Sequence, residues 1–220
     1  KEMDMGGEAG TYRMLSAGTE PVGGAMKAPP NVPSHWLPYV DAMSTDAIVK
    51  KVGELGGKVL VPATDVPNMV RFAVAADPQG AAIGVVQSLG PNDQPVYDGP
   101  PRIGTFVWDE LHTTDQHAAA KYYAALFGWT GKAGEEPMKY WHWQNNGKDI
   151  GGMMTLVQPG VPPNWLAYIA VSDVEASTSK VKALGGKVHM ETMDIEHVGK
   201  FSVVADPTGA VFALFRSARV

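Results

Sequence analysis

ADPTGAVFALFRS, residues 205–217, has a near copy upstream: ADPQGAAIGVVQS, residues 76–88. Each opens with D-P-x-G, placing Pro second and Gly fourth, as a type I turn prefers. Each continues as an apolar run of strand length. Working outward, a shift of 129 residues lays Trp36–Ser88 over Trp165–Ser217 without a gap, and 20 of the 53 positions are identical. LGGKV recurs at 55–59 and 184–188, and Asp65 falls on Asp194. With the shift changed by one residue, TYRMLSAGTEPVGGAM (11–26) lies over KYWHWQNNGKDIGGMM (139–154). Agreement of this kind at a fixed offset marks a duplicated module.

The second copy opens with TFVWDELHTTDQHAAAKYYAALFGW (105–129). FVWDELHTT alternates as a half-buried strand does, with Phe106, Trp108, Glu110 and His112 on one face and Val107, Asp109 and Leu111 on the other. Asp115 can cap the next helix, whose apolar stripe is expected to be Ala118, Tyr122, Leu126 and Phe127, with Gly128 at its end. MKYWHWQ and DIGGMMTL read as strands about an NNGK turn. NWLAYIAV is the next strand. Asp173 caps a second helix that stops at Gly185–Gly186, and KVHMETMDI, KFSVVAD and AVFALFR complete the set. The order is strand, helix, three strands, twice over. Helices on one side of a curved, mostly antiparallel sheet make an α+β fold of tandem βαβββ repeats, whose other sheet face is left to form a cavity.

The expected domains are a first module over 1–88, a Pro/Gly linker over 89–103 and a second module over 104–220. SLGPNDQPVYDGPPR (88–102) holds four prolines and two glycines, as an extended linker does. The first copy has no counterpart of 105–129. Its opening strand and most of its first helix are expected upstream of Lys1, lost to truncation or disorder.

Composition narrows the function. The net charge is −5 and no stretch is strongly basic, which argues against nucleic acid. There is no cysteine, so disulfides, thiolate metal sites and cysteine nucleophiles are excluded, and a cytoplasmic location fits. No apolar run approaches the roughly 20 residues of a membrane span. KEMDMGGEAG is too charged and glycine-rich for a signal peptide. No GxSxG or H-E-x-x-H occurs, and the GGAM and IGGMM pieces do not match a phosphate-cradling loop.

This order, with FVWDELHTTDQHAAAKYYAALFGW, WLAYIAVSDVEASTSKVKALGGKV and VADPTGAVFALF, resembles the vicinal oxygen chelate superfamily: glyoxalase I, the bleomycin-resistance proteins and the extradiol dioxygenases. The resemblance implies two modules, each with a curved sheet around a cavity, packed together within the chain; a homodimer beyond that stays open. In the superfamily's enzymes a divalent metal is held by His, Gln or Glu of the sheet. The matching places here are Trp108, Gly152–Met153, Leu166 and Ala213, and in the first copy Leu37 and Gly84. None carries a ligand-type side chain, so no metal and no cofactor is expected at the usual site.

Other residues on that sheet face remain for chemistry. Glu110 and His112 share a strand face, their Cβ atoms roughly 6–7 Å apart by strand rise, and can act as acid and base. The bland alternative pairs Glu110 with a backbone amide or a lysine and leaves His112 at an exposed strand end. Trp108, Tyr140, His142, Tyr168, its repeat partner Tyr39, and Asp41 are candidates for binding a ligand. His189, Glu191, Glu196 and His197 read as a polar strand and turn sooner than as a metal site. Phe72 and Phe201 are expected in the core, and the methionines, Met138 among them, as adaptable packing. The expected function is metal-free binding of a small aromatic or amphipathic molecule. The alternative is a glyoxalase-type lyase or dioxygenase using a non-standard metal site or the Glu110/His112 pair.

Overall fold

A computed structural model describes residues 2–4, 10–90, 102–134 and 139–218. Most of the expected linker and Met138 lie outside them. The order is β1 (Glu2–Asp4), β2 (Thr11–Ala17), β3 (Glu20–Ala25), β4 (Tyr39–Asp41), α1 (Thr45–Glu54), β5 (Lys58–Val66), β6 (Val70–Ala76) and β7 (Ala82–Ser88). The second copy follows as β8 (Phe106–Thr113), α2 (Gln116–Phe127), β9 (Thr130–Ala133), β10 (Trp141–Asn145), β11 (Lys148–Thr155), β12 (Asn164–Ala170), α3 (Val174–Ala183), β13 (Lys187–Ile195), β14 (Gly199–Ala205) and β15 (Val211–Ser217). The strand–helix–three-strand unit therefore runs twice through the second copy, and β9 over TGKA is the strand that the sequence reading counted without locating.

The caps explain where the helices start. The side chains of Ser44, Asp115 and Asp173 accept from the N–H groups of Ala47, Ala118 and Ala176, filling donors that the first turn leaves open. Gly128 ends α2 in the left-handed conformation, φ 77°. Asn146 and Gly147, at φ 50° and 78°, form the turn between β10 and β11, as a two-residue hairpin requires.

The chain forms two compact units that interleave the copies. One comprises Leu37–Tyr97 and Trp108–Leu166; the other comprises Lys1–Trp36, Asp98–Val107 and Ala167–Val220. In the first, β4-β7-β6-β5 and β8-β11-β10-β9 are the strand orders. Its core brings Val52, Ile83, Leu111, Tyr123, Leu126, Trp143 and Met153 together. The DPQG turn of the first copy locks onto the second. Asp77 Oδ1 accepts from the N–H groups of Gln79, Gly80 and Ala81, while Asp77 Oδ2 accepts from the Tyr123 hydroxyl at 3.1 Å. Gln79 Oε1 accepts from Thr113 Oγ1 and from the Asp115 N–H, both at 2.7 Å. In the other unit, β13-β14-β15-β12 pairs its strands, and Val174, Val204 and Leu214 pack its core. There β1-β2-β3 is the counterpart of β9-β10-β11.

Two packing expectations need correction. The buried face of α2 is Gln116, Ala119, Tyr122, Tyr123 and Leu126, and Ala118 is exposed. Tyr122 and Leu126 are buried as expected and Phe127 is partly buried against the core, while Ala119 and Tyr123 take the place expected of Ala118. Phe201 is not in the helix-side core, since Ser202 and Val204 hold those positions on β14. Its ring lies 6.1 Å from that of Tyr168 on the opposite sheet face, because neighbours along a strand point to opposite sides.

Candidate functional site

β8 sets the site. Its alternation sends Trp108, Glu110 and His112 to one face, and the parallel pairing with β11 puts Gly152 opposite Glu110 and Met154 opposite His112. Tyr140, just before β10, reaches over this face. An added Cβ on Gly152 would stand 1.8 Å from the Tyr140 hydroxyl oxygen, so only glycine leaves that hydroxyl its place.

The polar groups form a continuous chain. Trp108 Nε1–H donates to the Tyr140 hydroxyl at 2.8 Å. The Tyr140 hydroxyl bonds Glu110, and burial first, then the Glu110 charge, hold its phenol well above the usual range. Glu110 Oε1 lies 2.6 Å from His112 Nε2. Glu110 is buried at 5% exposure, while the His112 side chain keeps 22%. The directions follow from the inventory of donors: the indole N–H can only donate, so the phenol O–H is free to donate onward, and the carboxylate accepts from both sides. Facing a carboxylate, His112 Nε2 is the donor of that pair, which leaves Nδ1 as the ring's second nitrogen. Glu110 and His112 thus pair directly with each other.

His142 joins on the aromatic side, its ring 5.3 Å from Tyr140 and 6.0 Å from Trp108. Its Nδ1 is 3.6 Å from Asp149, beyond hydrogen-bond length. The other ligand candidates lie elsewhere. Tyr168 belongs to the second compact unit, where it packs against Phe201 and Phe215. Tyr39 and Asp41 line a separate pocket. His189 and Glu191 sit on β13, with Glu191 paired to Lys182. Glu196 and His197 are exposed in the following turn.

The residues at the usual metal positions do not fit a cation. Leu166 and Ala213 are buried hydrocarbon, the single polar atom of Trp108 is a donor already engaged, and the Tyr140 hydroxyl fills the space over Gly152. The first copy repeats the device: the Tyr12 ring lies over Gly24 and the Tyr39 ring over Gly84. Among the described residues no three His, Cys, Asp or Glu side chains cluster closely enough to hold a metal.

One half-buried acid went unnoticed in the sequence. Asp109, on the helix side of β8, lines a pocket of about 270 Å³ with Trp129, Trp143 and Trp165. Burial pushes its carboxyl up to about 6. Its position between Val107 and Leu111, on the apolar face of the alternation, was the available signal.

The sequence profile of the glyoxalase-like domain matches residues 105–215. The chain belongs to the glyoxalase-like family. This glyoxalase-like chain is 34% identical over 218 residues to the provisionally named glyoxylase CFP32 of Mycobacterium tuberculosis, covering 96% of this chain and 82% of that protein. It is 33% identical over 189 residues to the anthracycline biosynthesis protein DnrV of Streptomyces peucetius, covering 83% and 66%. In fold it is similar to the Mn(II)-bound glyoxalase of Novosphingobium aromaticivorans, with a TM-score of 0.55 at 16% identity, over 80% of this chain. The chain spans 61% of that protein's length. The two-module α+β architecture of the vicinal oxygen chelate superfamily is thus the fold of this protein.

Proposed function

We propose that this glyoxalase-like protein binds a small aromatic or amphipathic molecule on the Trp108–Tyr140–His142 face, without a metal at the superfamily's usual site. The observation that carries this reading is the Tyr140 hydroxyl, held between Trp108 and Glu110 over Gly152. It occupies the place a fourth-strand ligand would need, and it leaves an aromatic rim with donors and acceptors beneath it. The likeness to an anthracycline biosynthesis protein supports a planar aromatic ligand. No helix among the described residues is long and apolar enough to cross a membrane, and a cytoplasmic location goes with this reading.

A specific observation favours a second reading, that of a proton-transfer enzyme. With Nε2–H engaged by Glu110, the Nδ1 of a neutral imidazole at His112 would offer a lone pair, and Glu110 would fix its tautomer and offset the charge as it takes a proton. The step needs only a ligand carbon or oxygen acid within reach of Nδ1.

The test uses anthraquinone-2-sulfonate as probe, followed by tryptophan quenching in protein treated with EDTA. Saturable binding unchanged by EDTA and weakened about tenfold or more by Trp108→Ala is the expected result. Binding that appears only after a divalent metal is added overturns the reading. Loss of turnover in His112→Ala with binding retained would select the enzyme over the binding protein.

A further inference from the structure

The Asp109 pocket lies on the opposite face of β8 from the proposed ligand site, and nothing in the proposed function uses it. Asp109, Trp129, Trp143, Trp165, Tyr39 and Asp41 are its chemically telling walls. All of them belong to one compact unit. No lysine, arginine or histidine lines the pocket, and the Asp109 carboxyl has no hydrogen-bond or ion-pair partner among the described residues. Trp143 is fully buried, and its indole N–H has no partner either. The three indoles form one cluster, with Trp129 6.0 Å from Trp143 and 6.3 Å from Trp165.

A partly buried carboxyl with no partner is costly unless something satisfies it. Aromatic walls around a carboxyl attract a cation through the ring faces as well as the charge. A metal ion would want several oxygen ligands, whereas an alkylated ammonium group wants this apolar, aromatic surface. The volume, about 270 Å³, holds about nine water-sized shares, which limits the ligand to a small one.

We propose that this pocket is a second binding site, for a small organic cation. The upward shift of the Asp109 carboxyl fits an acid whose counter-charge arrives with the ligand. No group lining the pocket other than Asp109, Asp41 and the Tyr39 phenol titrates.

Choline and its neutral isostere 3,3-dimethylbutan-1-ol test this directly, because they share shape and hydroxyl and differ in charge. Calorimetric titration of the full chain near neutral pH is expected to give one saturable choline site per chain. The isostere is expected to bind at least about tenfold more weakly, and Asp109→Asn to lose choline affinity by about tenfold or more. Equal affinities for the two compounds, or no saturation by about 50 mM choline (weaker than the range in which such a cage is useful), overturns the proposal. The isostere comparison needs no variant and decides the matter even if Asp109→Asn fails to fold. Because the probe and the sheet face differ from those of the anthraquinone test, either reading can fail while the other stands.

Discussion

Glu110 and Asp109 are neighbours on one strand and live in opposite worlds. Glu110 is almost wholly buried, yet it accepts from Tyr140 and pairs with His112. Asp109 looks into a pocket walled by indoles and has no partner among the described residues. The same functional group is a fixed element of a hydrogen-bonded chain on one face and an unanswered charge on the other. Burial alone does not tell a structural acid from a receptive one; the count of donors within reach does.

The sharpest way to break the comparison is through the two glycines beside these acids. A Cβ on Gly151 would meet the Asp109 backbone oxygen at 2.6 Å, and the backbone cannot swing aside. Gly151→Ala is therefore expected to cost about 3 kcal/mol in chemical denaturation. A Cβ on Gly152 meets only the Tyr140 side chain, which can rotate away, so Gly152→Ala is expected to cost less while breaking the bond to Trp108.

Asp109→Asn probes the unanswered charge itself. Its carboxyl stands at about 6 in the native protein against about 3.9 in the unfolded chain. Across that interval the native state holds the proton that the unfolded state has released, so stability falls as pH rises. Replacement by Asn is expected to stabilise the protein by about 2–3 kcal/mol above pH ~6.5, with the gain shrinking through the interval and gone below pH ~3.5. Denaturation midpoints measured across pH check both the sign and the window.

On the other face the signs reverse. Glu110→Gln replaces one of two acceptor oxygens by an NH2 group that faces the donors of His112 and Tyr140, and is expected to destabilise by about 2 kcal/mol near neutral pH. Tyr140→Phe leaves the Trp108 N–H without its acceptor and is expected to cost about 1 kcal/mol. The indole N–H resonance of Trp108 should move in Tyr140→Phe and stay in place in Asp109→Asn.

Much of this was legible in the sequence. The duplication, the D-P-x-G turns and the caps at Asp115 and Asp173 are local, and local chemistry decides them. The alternation of FVWDELHTT placed Glu110 and His112 on one face, and their spacing put them within reach of each other. What was not legible depends on partners far away in the chain. Ala118 and Ala119 look alike in the sequence, and nothing local shows that Tyr123 reaches Asp77 of the first copy. Asp109 looked like one polar residue on an apolar face until Trp129, Trp143 and Trp165 closed around it. The Tyr140 hydroxyl over Gly152 could not be foreseen from a glycine that reads only as an absent ligand.

Elemental analysis of untagged protein, before and after stripping and reloading with zinc, nickel, iron and manganese, tests the central claim most directly. The account predicts less than about a tenth of an equivalent of every metal, and no thermal shift on reloading, since a tight site needs about three protein ligands and the usual positions supply none. Close to one equivalent per module would contradict it and would place a cation among residues assigned here to an aromatic, metal-free site.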